Sequence, residues 1–242
     1  MKVDYIQHCG SDLSVVNAAR VSFDKESKLE DYCRKCDSSN LRYGNTWAKY
    51  VCKDCGYEEE NKRQERLSNK DKKLIKYLSD HGHTSPFNHA FLTVRVKAPI
   101  FVARQLVKHK FMPWNEISRR YVDSPPEFYN PSPLRQRAED KKQGSSSDTV
   151  EYSLNPAYQY AYQCYTNMIA DGVCPEQARM VLPQSVYTEW YWSGTLGAFL
   201  DMLKLRLKTD TQQETREIAK MIAKIIKKYW PVSYETILKE IA

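Results

Sequence analysis

Two pairs of closely spaced cysteines place the strongest constraint on how this 242-residue chain can fold. Cys33 and Cys36 are separated by two residues, as are Cys52 and Cys55, and fifteen residues lie between the two pairs. Each pair can form a knuckle that presents two thiolates on one side of a turn, and two knuckles complete a tetrahedral sulfur shell that suits zinc. Free thiols or a redox pair are the alternatives. The spacing favours a structural zinc site, with all four ligand positions filled by protein.

The chain around these cysteines differs in composition from its flanks. Residues 25–66 are mainly charged and polar and hold four of the seven cysteines. Tyr43, Trp47 and Tyr50 lie between the knuckles and could form a small hairpin. We therefore interpret residues 25–66 as a zinc-ribbon-like module that is inserted into a single larger domain covering residues 1–242.

Composition indicates the kind of partner and compartment. The formal net charge of +7 favours anionic ligands, without separating nucleotides from polymers. We expect no transmembrane helix, because no run of about 18 apolar residues exists, and the N-terminus lacks the apolar segment of a signal peptide. A cytoplasmic location follows as the expectation. The isolated Cys9, Cys164 and Cys174 are then expected to be small buried hydrophobes.

We expect an α+β fold, with mixed helices around an antiparallel sheet, and hydrophobic periodicity indicates where its helices and strands lie along the chain. Strands are predicted at residues 3–6, 90–97 and 186–192, where β-branched and aromatic residues are frequent. Residues 121–148 are rich in proline and end in a polar tract at 142–147, so they are predicted to be loop. Helices are predicted at residues 13–20, 68–82, 99–107, 155–172, 196–207 and 211–228, and after Pro231.

Residues 104–121 contain a concentration of cationic and polar side chains. A solvated basic helix end would explain the charge alone. The mixture also suits a site for phosphates and a polar heterocycle, because Arg and Lys neutralise phosphate while Ser, Asn, Gln and Glu can contact the edge of a ring. The cations of this stretch are Arg104, Lys108, Lys110, Arg119 and Arg120.

This stretch resembles the signature of the flavin-dependent thymidylate synthases, which reads R-H-R, seven residues, then S. Here Lys108, His109 and Lys110 are followed, after seven residues, by Ser118. Both flanking arginines of the pattern are lysines, and Pro113 stands at the position of its first serine. The residues that match the remainder of the pattern in register are Asn115, Glu116, Arg120 and Tyr121.

The resemblance extends over nearly the whole chain outside the cysteine-containing insert. Residues 12–23 resemble the family's N-terminal segment, and residues 81–89 resemble its H-G-H-x-[ST]-P-F-x-H stretch. Residues 96–105 resemble the segment that leads into the signature. Arg179 and Arg206 stand where the family keeps two further arginines. The order of these motifs makes the resemblance more specific than any one of them.

The resemblance implies an activity, cofactors and an assembly. Enzymes of this kind convert dUMP to dTMP, with methylene-tetrahydrofolate as carbon donor and with FAD, reduced by NADPH, as hydride donor. The family builds each site from several subunits of a homotetramer, so a homotetramer with shared sites is expected. The absence of G-x-G-x-x-G and G-x-x-x-x-G-K-[ST] motifs disfavours Rossmann and P-loop nucleotide sites.

The resemblance also implies residue roles by position. The implied catalytic residues are Arg206, Ser118 and His83. The implied dUMP-binding residues are Gln105, Glu116, Ser118, Arg119, Arg120, Arg179 and Arg206. The implied cofactor-binding residues are Ser85, Lys108, His109, Lys110, Glu116, Thr195, Leu196, Gly197 and Asp201.

Departures from the family pattern lie on the flavin side and leave alternatives open. Lysine at positions 108 and 110 loses the bidentate fork of arginine, and Asn88, Thr195, Gly197 and Asp201 replace the family's usual Glu, Asn, Arg and Asn. One alternative is a pyrimidine deoxynucleotide hydroxymethylase, in which water rather than hydride completes the reaction.

A second alternative is a zinc-containing nucleic-acid-binding protein without enzymatic activity. Lys62, Arg63 and Arg66 would serve such a role, whereas the acidic residues 58–60 would repel phosphate. The insert itself could bind nucleic acid, contact a partner or stabilise the fold.

Overall fold

The computed structural model describes residues 1–44, 49–60, 64–122, 124–139 and 145–238. The expectations for Trp47, Lys62 and Arg63, and for positions 142–144 of the polar tract, lie outside the described residues. Within the described part, no helix is long and apolar enough to cross a membrane.

The described residues form helices, strands and three short 3₁₀ turns. The strands are β1 (Lys2–Cys9), β2 (Glu30–Asp31), β3 (Leu41–Tyr43), β4 (Lys49–Cys52), β5 (Glu58–Glu60), β6 (Glu65–Arg66), β7 (Phe91–Pro99), β8 (Trp114–Glu116), β9 (Leu134–Arg135), β10 (Thr149–Val150) and β11 (Tyr187–Thr195). The helices are α1 (Asp12–Arg20), α2 (Asn69–Asp80), α3 (Ile100–Leu106), α4 (Asn155–Ala170), α5 (Pro175–Ala178), α6 (Leu196–Arg206), α7 (Gln213–Tyr229) and α8 (Pro231–Ile237). The 3₁₀ turns are Val21–Phe23, Ser85–His89 and Arg179–Val181.

A four-stranded antiparallel sheet with the order β1-β7-β11-β8 organises the main domain. Strand β7 pairs with β1 on one side and with β11 on the other, and its pairing with β11 runs from Pro99 opposite Tyr187 to Phe91 opposite Thr195. The predicted α+β class, with helices around an antiparallel sheet, is confirmed.

One face of this sheet carries the hydrophobic core. Val94 and Val96 of β7 and Trp190 and Trp192 of β11 are buried. Alternate residues point to the opposite face, where Tyr191 is 46% exposed. Helices α3, α6 and α7 contact β7, β11 and β1, respectively. The helical layer therefore covers one side of the sheet.

Two strands of the sheet continue directly into helices. Pro99 ends β7 and is the N-cap of α3. Proline lacks a backbone N–H, and the first residues of a helix have no intrahelical acceptor for that group, so proline is tolerated there. Thr195 ends β11 and caps α6, because its Oγ1 accepts a hydrogen bond of 3.1 Å from the Ala198 amide. These transitions confirm the predicted strand–helix order at both places.

The cysteine-containing segment forms small sheets of its own. Strands β2 and β6 pair as a two-stranded stem with Glu30 opposite Arg66, and the three-stranded sheet β3-β4-β5 lies between them in sequence. Arg66 donates to Glu30 at 3.3 Å and its guanidinium lies 4.8 Å from the centre of the Tyr32 ring. The stem thus joins the start and the end of the segment.

The expectation that the isolated cysteines are buried is wrong. Cys9 and Cys174 are exposed, and Cys164 is only partly buried. Cys9 ends the edge strand β1, and Cys174 is the N-cap of the short helix α5. Position at the edge of the sheet and at a helix terminus therefore outweighs the general preference of cysteine for the interior.

A buried carboxylate, Asp71, joins the segment to the main domain. Its Oδ1 accepts from Arg20 Nε at 3.1 Å and from Ser27 Oγ at 2.9 Å, and its Oδ2 accepts from Ser68 Oγ at 2.8 Å. Burial raises the pKa of Asp71, but the bonds from Arg20, Ser68 and Ser27 outweigh it and leave that pKa below its ordinary value. Asp71 thus connects α1, α2 and the chain entering the stem.

We expect Asp71→Asn to lower the free energy of unfolding by roughly 3–5 kcal/mol at neutral pH, because it leaves the half-buried Arg20 guanidinium without a counter-charge. A folded-state pKa below the unfolded value stabilises the fold above about pH 4, and this contribution is lost as pH falls through the folded-state pKa. Urea unfolding at neutral and acidic pH measures both effects.

The matched control is Asp80→Asn, at the other end of α2. Asp80 pairs with Lys76 at 2.9 Å, and both side chains are largely exposed. Exposed pairs contribute little, so a loss of about 1 kcal/mol or less is expected. Equal losses for the two variants would contradict the role given to Asp71.

Candidate functional site

One cleft, here called the Arg179 cleft, collects three of the implied nucleotide-binding residues. Glu116, Arg119 and Arg179 line a cavity of about 320 Å³ beside β11. Thr188 and Glu189 of β11 line it as well. The sequence analysis did not identify these last two, although their strand pairs with β8, which carries Glu116. The signal that could have indicated Thr188 and Glu189 is their position on the strand that pairs with β8.

Glu116 is fixed in this cleft by two hydrogen bonds. Thr188 Oγ1 donates to Glu116 Oε1 at 2.6 Å, and Trp114 Nε1 donates to Glu116 Oε2 at 2.9 Å. The Trp114 ring stacks on Trp190 with 4.3 Å between ring centres. The buried aromatic core therefore determines where this carboxylate lies.

The arginines around the cleft are held mainly by backbone carbonyls. Arg119 Nη1 donates to the Ser124 carbonyl at 2.8 Å, and Arg179 Nε donates to the Glu176 carbonyl at 3.2 Å. Arg120 lies outside the cleft lining and forms an exposed ion pair of 3.5 Å with the Glu176 carboxylate. Neutral acceptors leave the charges of Arg119 and Arg179 available for an anion such as phosphate.

A second cavity, the Lys110 cleft, collects five of the implied cofactor-binding residues. It has a volume of about 480 Å³. It opens at the N-terminus of α6, where a helix end favours anionic groups. Its lining includes His109, Lys110, Thr195, Gly197 and Asp201, together with Thr84, Asn88, Phe111 and Ala198.

Asn88 and Gly197 are packed against each other in the Lys110 cleft. Thr195 Oγ1 donates to Asn88 Oδ1 at 2.8 Å. A Cβ atom at Gly197 would lie only 2.6 Å from the same Asn88 oxygen. The amide side chain thus occupies space that any larger residue at position 197 would need.

A third cavity, the Arg206 cleft, has a volume of about 420 Å³ and is lined by Gln105 and Arg206. Arg206 Nε donates to His109 Nε2 at 3.0 Å, and Arg206 Nη2 donates to the Gln105 carbonyl at 3.1 Å. Burial, and then the Arg206 charge, lower the pKa of His109 to about 4. His109 is therefore neutral near pH 7, and its Nε2 accepts the hydrogen bond that Arg206 Nε donates.

The remaining implied residues lie around these cavities in different ways. His83 lines a small pocket that shares Gly197 and Asp201 with the Lys110 cleft. Leu196 has a fully buried side chain, and its amide donates to the Ala90 carbonyl at 2.7 Å. Lys108 is exposed. Ser118 lies in a turn, where its Oγ accepts from the Arg120 amide at 3.3 Å, and Ser85 begins a 3₁₀ turn.

The four paired cysteines form a compact cluster in the small module. One sulfur from each of Cys33, Cys36, Cys52 and Cys55 lies within 4.8 Å of the others. The Cys33–Cys55 and Cys36–Cys52 sulfurs are 3.7 and 3.4 Å apart. A tetrahedron with Zn–S bonds of about 2.3 Å has edges of about 3.8 Å, so this donor set fits a zinc ion.

We expect Gly197→Ala to lower the free energy of unfolding by about 1–3 kcal/mol, because the new methyl group displaces Asn88 and strains its bond to Thr195. The double variant with Asn88→Ala should recover most of that loss, whereas Asn88→Ala alone serves as the control. Thermal or urea unfolding of all three variants measures the coupling. Additive losses would show that the two residues do not compete for space.

Comparison with known proteins identifies the family. Residues 4–232 match the thymidylate synthase complementing protein family. A flavin-dependent thymidylate synthase from Thermotoga neapolitana is 34% identical over 237 residues, covering 98% of this chain and 90% of that protein. One from Thermosipho africanus is 38% identical over 177 residues, covering 70% of this chain and 78% of that protein.

A solved structure is similar over the same extent. The UMP/dUMP methylase PolB from Streptomyces cacaoi, bound with 5-Br dUMP, has a TM-score of 0.73 and 26% identity, covering 98% of this chain and 94% of that one. Sequence motifs, family match and fold agree. This chain belongs to the flavin-dependent thymidylate synthase family.

Proposed function

We propose that this chain is a thymidylate synthase that converts dUMP to dTMP, with methylene-tetrahydrofolate as carbon donor and with NADPH-reduced FAD as hydride donor. Family membership supports the reaction class. The observation that carries the proposal is the Arg179 cleft, in which Glu116, Arg119 and Arg179 of two separate motifs converge on one cavity. Cations for a phosphate and a carboxylate for a ring edge are the groups that a pyrimidine nucleotide requires.

The side chains of the proposed nucleotide site would divide binding between phosphate and base. Arg119, Arg120 and Arg179 would neutralise the phosphate. Glu116 can only accept hydrogen bonds when ionised, so it would select an N–H or O–H group of the nucleotide. Gln105, Ser118 and Arg206 would complete the site. Arg206 would stabilise the negative charge that develops on the pyrimidine, as a preorganised donor.

The Lys110 cleft is proposed to hold FAD. Bound FAD would supply the hydride-transfer chemistry, which the protein side chains lack. Lys108, Lys110 and the α6 N-terminus would neutralise its phosphates. The further contacts would come from Ser85, Glu116, Thr195, Leu196, Gly197 and Asp201, with His83 beside flavin and folate.

A homotetramer with shared sites is part of the same proposal. Five of the seven proposed nucleotide residues are divided in a single chain between the Arg179 cleft, with Glu116, Arg119 and Arg179, and the Arg206 cleft, with Gln105 and Arg206. In an oligomer, the Arg206 cleft of one copy would lie beside the Arg179 cleft of another copy, so that both groups of residues surround one ligand. A solution mass four times the 28.3 kDa of one chain is the expected result of light scattering.

The module at residues 25–66 is proposed to be a separate structural unit held together by zinc. Some of its basic groups are engaged internally, since Arg34 pairs with Glu59 at 2.9 Å and Lys49 lies 3.3 Å from both Glu58 and Glu60. Such pairing reduces the positive charge that Arg34 and Lys49 could offer to nucleic-acid phosphates. A role in stability or partner contact is therefore favoured over nucleic-acid binding.

Mass analysis of the nucleotide tests the activity. The purified protein is incubated with dUMP, methylene-tetrahydrofolate, FAD and NADPH, and in parallel with UMP or dCMP. We expect a product heavier than dUMP by one methylene unit. A hydroxymethylated product would instead support the alternative hydroxymethylase, and an unchanged nucleotide in every reaction would overturn the proposal.

Arg179→Ala tests the nucleotide site itself. Removing a charged hydrogen-bond donor costs about 1.5–3 kcal/mol, so KM for dUMP should rise about tenfold or more. Arg42→Ala is the matched control, because Arg42 is an exposed arginine of the module and lines none of the three clefts. An equal effect of both variants on KM would argue against phosphate binding by Arg179.

Metal analysis tests the cysteine cluster. We expect one zinc per chain, and Cys52→Ser should lower this content because a tetrahedral shell needs four thiolates. Cys174→Ser, which changes an exposed cysteine outside the cluster, should leave it unchanged. Zinc loss in both variants, or no zinc in the unmodified protein, would contradict a structural zinc site.

A further inference from the structure

The contact between His109 and Arg206 joins two cavities that are otherwise distinct. His109 lines the Lys110 cleft, whereas Arg206 lines the Arg206 cleft. Their side chains meet at 3.0 Å, with Arg206 Nε as donor and His109 Nε2 as acceptor. The two residues are 97 positions apart in the sequence, so the contact is created by the fold.

Arg206 has neutral partners in the described part of the chain. Its Nη2 donates to the Gln105 carbonyl at 3.1 Å. Asp210 lines the same cleft, yet no carboxylate among the described residues forms an ion pair with Arg206. A guanidinium held by a ring nitrogen and a carbonyl keeps its full charge for a ligand.

The partners of Arg206 are fixed by the end of α3. The carbonyl of Gln105, in the last turn of that helix, has no intrahelical partner and attracts a cation. The Gln105 side chain is fixed in turn, because its Oε1 accepts from the buried Thr215 Oγ1 at 3.0 Å. The backbone amide of His109 donates to the Leu106 carbonyl at 3.1 Å. Both acceptors of Arg206 therefore lie on one short, ordered segment.

We infer that His109 is a positioning residue that holds the Arg206 guanidinium in place through its neutral ring. The inference rests on the proposed function for the role of Arg206 toward the nucleotide. Nε2 accepts the bond, so the ring proton lies on Nδ1. A protonated ring would have no acceptor at Nε2 and would repel Arg206. Burial and the nearby Arg206 charge, which lower the His109 pKa, agree with a neutral ring.

Variants that keep or remove the acceptor test the inference. Glutamine places an amide oxygen near the position of Nε2, whereas leucine offers no acceptor. His109→Leu should weaken dUMP binding about tenfold. His109→Gln should restore dUMP binding to within about threefold of the unmodified protein. Equal dUMP affinity of His109→Leu and the unmodified protein would overturn the inference.

A nucleotide-free measurement separates this inference from the proposed function. Phenylglyoxal modifies arginine side chains. Peptide mass spectrometry measures the modification rate of Arg206, with Arg216 in the same sample as the internal reference. His109→Leu should speed modification of Arg206 several-fold, and His109→Gln should not. An unchanged rate in His109→Leu would overturn the inference even if dUMP is the substrate. If the modification rates are as expected but the protein does not bind dUMP, the result would contradict only the proposed function.

His81→Leu is the matched control. His81 is an exposed histidine whose Nδ1 lies 2.9 Å from the Tyr77 carbonyl, at the end of α2. Its replacement should change neither dUMP affinity nor the modification rate of Arg206. Thermal unfolding of every variant confirms that the fold is retained.

Discussion

The antiparallel pairing of β7 with β11 determines where the functional side chains can lie. Each strand passes directly into a helix, β7 into α3 at Pro99 and β11 into α6 at Thr195, and the register places these two residues at opposite ends of the sheet. Both helices pack on the same face of the sheet. Their C-terminal turns then meet, which brings Arg206 against the carbonyl of Gln105. A shift of register would separate these groups.

Much of the fold could be predicted because its signals are local. The alternating residues of β7 and the cysteine spacing each depend on a few neighbouring positions. The exposure of Cys9 and Cys174 could not be predicted in this way. Burial depends on which elements cover a residue, and the edge position of β1 is a property of the whole sheet.

The site was less predictable, because it depends on contacts between distant segments. Motif resemblance indicated Glu116, Arg119 and Arg179, and the structure places these three in one cleft. Thr188 carries no chemical signal of its own and was missed, although it donates to Glu116. The bond from Arg206 to His109 joins two motifs that the resemblance had assigned to different ligands. Only the folded structure reveals such a contact.

The two-stranded stem of β2 and β6 has a consequence for how such a segment can be accommodated. Its strands lie side by side, with Glu30 opposite Arg66, so the main chain leaves and re-enters the domain at nearly one place. The conformational entropy of closing a loop grows only slowly with loop length, by about 0.6 kcal/mol per doubling. A long insertion of this kind therefore lowers the stability of the main domain little more than a short surface loop would.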